Sequence, residues 1–372
     1  MVTPSLGRAR AQFPATGTTV RLEFGGAVAA EPKAVAALVR AARELVERIE
    51  AELSRFRDDS DIVRLNRHPD QWVEVGPHTA AVLRAAADLR ERTGGLFDPA
   101  TPGRLIEVEI AAGSPSRARL GSARGSRLGS IVQPRGGRGE ARTRGGMKDA
   151  QARSRPGELG NRGKPKDACT SGDPMGGRKR GGTPKAEAGR RTGDIGARDG
   201  SGEAQVRGSL ASGIDLGGIG KGYAADAVLA LVRARGVDSA LVAVGASSVA
   251  VCGERPGGGP WRVALRSPGG GRDEALGVVE LARGGLATSG LDEAGHHIVD
   301  PRTGLPADSG VLQATVLAED GMVAEAYSTA LMVGGVPAAA TWPVDSVLVT
   351  AAAVVVSAGA RDRFRPSLKA RN

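Results

Sequence analysis

The densest chemistry in this 372-residue chain lies in one stretch, Gly213-Ile214-Asp215-Leu216-Gly217-Gly218-Ile219-Gly220-Lys221-Gly222-Tyr223-Ala224-Ala225-Asp226. Its first ten residues hold five glycines, one acid and one lysine. Ala224 to Arg235 then carries Ala, Leu and Val at helical spacing. A glycine-rich turn that enters a helix presents backbone N–H groups, and the helix dipole favours phosphate at that end. Lys221 adds a positive charge there, and Asp215 can accept hydrogen bonds or hold a metal. The stretch is not a P-loop, because no Ser or Thr follows the lysine and the glycine spacing differs. The strict Gly-x-Gly-x-x-Gly fingerprint is also absent. Its looser form with a final Ala fits Gly220, Gly222 and Ala225. Read alone, the same residues also fit a tight strand-to-helix turn with a surface lysine.

Elements on both sides must position this turn. Phe13 to Phe24 reads as a strand in which Val20, Leu22 and Phe24 alternate with polar neighbours. Glu31 to Arg55 predicts an amphipathic helix, with Val35, Leu38, Val39, Leu45, Val46, Ile49 and Leu53 near one face. A loop over Phe56 to Asp61, a short helix to Asn66 and a brief strand at Trp72 to Val75 follow. A second helix spans Thr79 to Thr93 and ends at Gly94-Gly95. Beyond the turn, strands are expected at Ser239–Val244, Ser248–Cys252, Trp261–Leu265, Leu276–Leu281 and Val311–Leu317. Gly285–Gly290 reads as a small-residue loop and His296–Gly304 as a polar turn. Met322–Val333 reads as a helix, and Val347–Val356 as a strand or short helix. The sum is an α+β fold, with mixed and antiparallel sheet flanked by helices.

The net charge of +10 invites a nucleic-acid reading, but its distribution is uneven. Residues 104–210 carry 23 basic and 11 acidic side chains, which leaves 28 basic against 30 acidic elsewhere. That segment has no Phe, Trp, Tyr or His and is dominated by Arg, Gly, Ser and Pro. It cannot bury enough apolar surface to offset the entropy of ordering it, so 104–212 is expected to be a disordered basic insertion. The ordered domain is then discontinuous, 13–103 with 213–360, and 361–372 reads as a polar tail. No apolar run is long enough for a transmembrane helix, and no signal peptide is read, so the expected location is cytoplasmic. The two cysteines, Cys169 and Cys252, suggest neither a disulfide framework nor a zinc site.

Several motifs occur in order: Thr16-Gly17-Thr18-Thr19, then Leu53-Ser54-Arg55-Phe56-Arg57-Asp58-Asp59-Ser60-Asp61 with Leu65-Asn66, then Thr93-Gly94-Gly95-Leu96-Phe97-Asp98-Pro99, the Gly213–Asp226 stretch, and Ala287-Thr288-Ser289-Gly290. They continue with His297-Ile298-Val299-Asp300-Pro301-Arg302-Thr303-Gly304 and Ala324-Glu325-Ala326-Tyr327-Ser328-Thr329-Ala330-Leu331. This series resembles the FAD:protein FMN transferase (ApbE, thiamine-biosynthesis lipoprotein) family over about 13–103 and 213–335. The resemblance implies Mg²⁺-dependent transfer of FMN from FAD to a threonine hydroxyl of an acceptor flavoprotein, with release of AMP. It implies FAD contacts at Thr16, Phe56, Leu96, Phe97, Asp98, Asp215, Lys221 and His297, and a role for His297 in proton handling. It implies metal ligation by the Gly218 carbonyl, Glu325 and Thr329, the last two sharing one helix face at four-residue spacing.

Taken singly, each of these residues has an ordinary reading. Glu325 and Thr329 fit a solvated helix face, His296-His297 a surface turn, Phe56 and Phe97 core positions, and Asp98-Pro99 a plain turn. The chain also departs from the family pattern at three points. Thr16 stands where a Met is usual, Gly245-Ala246-Ser247 where Gly-Gly-Asp is usual, and Glu325 where Asp is usual. Two other functions compete with transfer: a flavin-binding protein of the same fold without transfer, and a nucleic-acid binder acting through the basic insertion. The absence of aromatic residues from that insertion argues against base stacking.

Overall fold

The computed structural model describes residues 2–5, 7–15, 17–68, 71–100, 106–111, 117–120, 204–207, 213–270, 274–291 and 298–367. All of them belong to one compact unit formed by residues 1–124 and 194–372. The strands are β1 (Val2–Ser5), β2 (Arg8–Ala15), β3 (Thr18–Gly25), β4 (Trp72–Val75), β5 (Ile106–Ala111), β6 (Arg117–Leu120), β7 (Ala204–Arg207) and β8 (Ala240–Val244). They continue with β9 (Ser248–Cys252), β10 (Trp261–Arg266), β11 (Ala275–Leu281), β12 (Gly284–Gly290), β13 (Val311–Ala318), β14 (Asp345–Thr350), β15 (Val354–Val356) and β16 (Phe364–Pro366). The helices are α1 (Pro32–Leu53), α2 (Asp61–Arg67), α3 (Pro77–Arg92), α4 (Gly220–Ala234) and α5 (Gly321–Ala339).

Nine strands form the main sheet in the order β1-β2-β3-β8-β9-β12-β13-β14-β15. Two small sheets, β10-β11-β16 and β4-β7-β5-β6, complete the set. Every pairing among the described residues is antiparallel, so the α+β expectation holds with no parallel component. One core joins Phe13, Leu22 and Phe24 of the sheet to the inner faces of α1, α3, α4 and α5. The second lies around Trp261, Leu265, Val279 and Phe364, packed with Leu286, Leu317 and Val347 of the main sheet. The sheet is thus covered by apolar side chains on both faces.

The helices follow their sequence patterns. In α1, proline opens the first turn, and Val35, Leu38, Ala42, Val46, Ile49 and Leu53 are buried at three- and four-residue steps. Ser60 caps α2 by accepting the Val63 N–H at 3.1 Å.

Several elements differ from expectation for local reasons. The Phe13–Phe24 strand is two strands, β2 and β3, reversed beside Gly17 at φ 66°. Gly285–Gly290 is not a loop but lies in β12, paired on both sides by β9 and β13. Its small residues are needed because α5 starts directly above: a Cβ on Gly285 would fall 2.1 Å from the Gly321 nitrogen. Val347–Val356 is a hairpin of β14 and β15. Within the expected insertion, β5, β6 and β7 are strands, and β7 pairs with β4 through Val206↔Val73. The rest of 104–212 lies outside the described residues. Within the expected polar tail, Phe364 is buried and β16 pairs with β11. Among the described residues, no helix is long and apolar enough to cross a membrane.

Candidate functional site

The site is built where the glycine-rich turn meets the starts of α4 and α5. Two clamps fix the turn. The Asn66 side chain on α2 accepts the Ile214 N–H at 2.6 Å and donates to the Ile214 carbonyl at 3.1 Å. The Asp215 N–H donates to the Pro99 carbonyl at 2.8 Å, beside an isolated bridge between Ala100 and Ile214. The turn therefore joins α2, the 96–100 segment and α4.

Within the turn, Asp215 Oδ1 accepts the Gly217 N–H at 2.8 Å, and Oδ2 pairs with Arg55 Nη1 at 2.8 Å. Lys221, in the first turn of α4, donates to the Gly217 carbonyl at 3.2 Å. Its ammonium also lies 2.8 Å from Glu325 Oε1 on α5. Glu325 Oε2 accepts the Gly222 N–H at 2.6 Å. The Glu325 carboxylate is buried, yet it is satisfied by one cation and one helix N-terminal amide, the arrangement that makes burial of a charge tolerable.

α4 and α5 approach closely enough that only glycine fits between them. A Cβ on Gly222 would lie 2.2 Å from the Gly321 carbonyl oxygen. Asp226, one turn further along α4, accepts the N–H groups of Gly321 and Met322 at 2.8 Å each, so it caps α5 from outside. Burial pushes the Asp226 carboxyl well above the usual carboxylate range, and the negative charge of Asp320 adds to this.

Gly218 faces Thr329. A Cβ there would fall 3.1 Å from Thr329 Oγ1 and 3.4 Å from the Phe97 ring. Thr329 Oγ1 lies 3.5 Å from Ser289 Oγ on β12, which bonds Ser328 Oγ at 2.8 Å. The structure thus brings together Phe97, Asp215, Gly218, Lys221, Glu325 and Thr329. Phe56 joins them through Arg55, whose guanidinium lies 4.6 Å over its ring. Phe56 is 83% exposed, the reverse of a core position. Leu96 is partly buried against the core. The Asp98 carboxylate turns away to pair with Arg90 at 2.8 Å and to accept the Ala100 N–H at 2.9 Å, so it shapes the turn that holds Asp215. Thr16 and His297 lie outside the described residues.

Sequence reasoning assigned no role to Asn66, Arg55, Asp226 or Ser289. Their partners are 39 to 160 residues away, and no local pattern encodes such pairings. Ser289 fell in a segment read as a loop, whereas a strand between two strands aims it at α5.

Tyr223, next to Gly222, ties the site to α3. Its hydroxyl lies 2.8 Å from His78 Nδ1. Burial, with negative charge from Glu52 and Asp226, pushes the phenol up to about 12, so it stays protonated beside the imidazole. Burial holds His78 below its usual 6.5, with Arg48 adding to the effect. At His78 the unfolded chain therefore binds more protons, and this residue's contribution to stability is lost as pH drops below 6.5, against the opposite contribution of Asp226, whose carboxyl burial pushes up. The denaturant midpoint of the native protein is expected to fall relative to that of His78→Gln between neutral and mildly acidic pH. Parallel pH profiles in the two proteins would contradict this.

A family model described as "ApbE family" matches residues 16–129 and 191–351. The chain belongs to the ApbE family. Among ApbE relatives, the FAD:protein FMN transferase of Escherichia coli (strain K12) is 36% identical over 127 residues, 32% of this chain and 35% of that protein. The Rhodobacter capsulatus protein of that name is 39% identical over 124 residues, 31% and 23% of the two chains. The matched stretch thus spans about a third of the length of the first of these relatives. The ApbE fold extends further than that identity. The crystal structure of the ApbE protein from Thermotoga maritima superposes with a TM-score of 0.62 at 22% identity, covering 98% of this chain and all of that one. The flavin transferase ApbE of Vibrio cholerae gives 0.61 at 19%, with the same coverage.

Proposed function

We propose that this chain transfers FMN from FAD to a threonine hydroxyl of an acceptor protein, using Mg²⁺ and releasing AMP. The observation that carries this reading is the meeting of Lys221 and Glu325 at the start of α4, beside Asp215, Gly218 and Thr329, in a chain of the ApbE family. Relatives in that family bear the name FAD:protein FMN transferase.

In this reading the acceptor oxygen attacks the phosphorus on the FMN side of the FAD diphosphate. A P–O bond to that oxygen forms, the P–O bond to AMP breaks, and AMP leaves with the electron pair. The hydroxyl proton passes to a base, a role proposed for His297. Lys221 faces the diphosphate as a positive charge placed by the first turn of α4, where the helix dipole adds to it. Phe56, which is exposed, provides flat apolar surface for the flavin ring, while Phe97 is buried in the core beside Gly218.

The residues present fit a magnesium ion in donor chemistry. Gly218 backs directly on Thr329, and Glu325 lies one helical turn before Thr329 on α5; its Oε1 pairs with the Lys221 ammonium at 2.8 Å, which would have to move aside to admit the ion. Carbonyl, hydroxyl and carboxylate oxygens are the hard ligands that Mg²⁺ takes, and when bound it offsets charge on the phosphoryl oxygens. Holding that ion is assigned to Gly218, Glu325 and Thr329.

AMP release tests the chemistry without knowledge of the natural acceptor's identity. Incubation with FAD, Mg²⁺ and a threonine-bearing acceptor domain should give AMP and esterified FMN in equal amounts, and a chelator should stop both. Free FMN with no ester would reassign the protein as a hydrolase. FAD binding with no AMP would leave only the flavin-binding reading.

A further inference from the structure

Arg55 is a cation at this site to which the family resemblance gives no role, and its surroundings are specific. It follows α1 directly and reaches 160 residues along the chain to Asp215, with Nη1 2.8 Å from Oδ2. Its guanidinium also lies 4.6 Å from the centroid of the Phe56 ring. The Arg55 side chain is 54% exposed and Phe56 83%, so neither is a core brace.

The hydrogen bonds run in one chain: Arg55 to Asp215, Asp215 to the Gly217 N–H, and the Gly217 carbonyl to Lys221. One short turn thus carries a cation at each end. A single phosphate needs only one of them, whereas a diphosphate presents two anionic groups to such a pair. The carboxylate of Asp215 alone would repel a diphosphate. Arg55 neutralises it and still offers the other edge of a planar five-donor fork, which suits phosphate oxygens.

We propose that Arg55 reads the diphosphate of the flavin dinucleotide, with Lys221 at the opposite end of the turn, and so selects a dinucleotide over a flavin mononucleotide. This rests on the proposed function and assigns to one residue the choice among flavins that the reaction needs. Phe56, stacked under the guanidinium, serves the ring common to all flavins.

The test measures binding of FAD, FMN and riboflavin by flavin fluorescence at low and high salt, in the native protein and in Arg55→Ala, Arg55→Lys and Phe56→Ala. Arg55→Ala should lose about 10-fold in FAD affinity, the scale of a charge-assisted bond, with a smaller loss for FMN and riboflavin unchanged, and an equal loss for FAD and FMN would overturn the selection of the dinucleotide. Its FAD binding should also become less sensitive to salt. Arg55→Lys keeps the charge without the fork and should fall between, whereas Phe56→Ala should weaken all three flavins alike. Equal loss of FAD and riboflavin in Arg55→Ala would overturn the assignment and reduce Arg55 to a support for Phe56. Unchanged FAD affinity would overturn it as well. A native protein that binds no FAD would overturn the flavin reading itself, and this assignment with it.

Discussion

Glu325→Ala is expected to cut FMN transfer by about 100-fold or more, the scale seen when one preorganised polar group is removed from a reacting centre. The carboxylate organises two elements at once. It holds the Lys221 ammonium at 2.8 Å and the Gly222 N–H at 2.6 Å, and it is the acid assigned to the metal. Removing it leaves the Gly222 N–H without this acceptor, while the Lys221 ammonium keeps the Gly217 carbonyl. Lys221 is about a third exposed, so solvent compensates part of that loss, and the stability cost should be only about 1–2 kcal/mol. The discriminating variant is Glu325→Gln, which retains an acceptor for the Gly222 N–H and removes the charge. It should fold as the native protein does and still lose transfer. Single-turnover rates at saturating FAD, with thermal unfolding alongside, separate the two effects. Native-like transfer in Glu325→Gln would remove this carboxylate from the chemistry.

Gly222→Ala is expected to give the largest loss of stability at the site. The new methyl would stand 2.2 Å from the Gly321 carbonyl oxygen, and both sides of that contact are backbone. No side chain can swing aside, so α4 and α5 must separate. Overpacking of this kind costs about 3 kcal/mol, or a fall in Tm of about 6–12 °C for a domain of this size. The same separation would pull the Gly222 N–H away from Glu325, so transfer should fall with stability. Gly220→Ala is the control, because a Cβ there meets nothing within 4 Å. Calorimetry should show Gly220→Ala near the native Tm and Gly222→Ala well below it. Equal values would mean that the two helices are not locked at this crossing.

The legible parts of the fold were those encoded by local period. α1 carries its apolar stripe in the sequence, and β8 to β11 carry runs of branched residues bounded by glycine and polar turns. β12 was illegible because Gly284–Gly290 is selected for close packing under α5 rather than for strand propensity. In β5, Ile106, Val108 and Ile110 alternate with Glu107 and Glu109, a period-2 signal masked by the basic composition that follows. β16 was missed because three residues, Phe364–Pro366, are too few to show a period.

At the site, the glycines, Lys221 and the Glu325/Thr329 pair were legible as types and spacing. Their convergence was not. Nothing local says that Glu325 reaches α4, that Asp226 caps α5, or that Arg55 meets Asp215. Asp98 shows the opposite limit, because its motif position is clear while its carboxylate serves Arg90 and the backbone of Ala100.

FMN transfer is tested most directly by the intact mass of a threonine-bearing acceptor domain after incubation with the full chain, FAD and Mg²⁺. The expected result is a gain of one esterified FMN per acceptor, lost on substitution of the acceptor threonine and in Glu325→Gln. An acceptor of unchanged mass, in the presence of native protein that binds FAD, would contradict it.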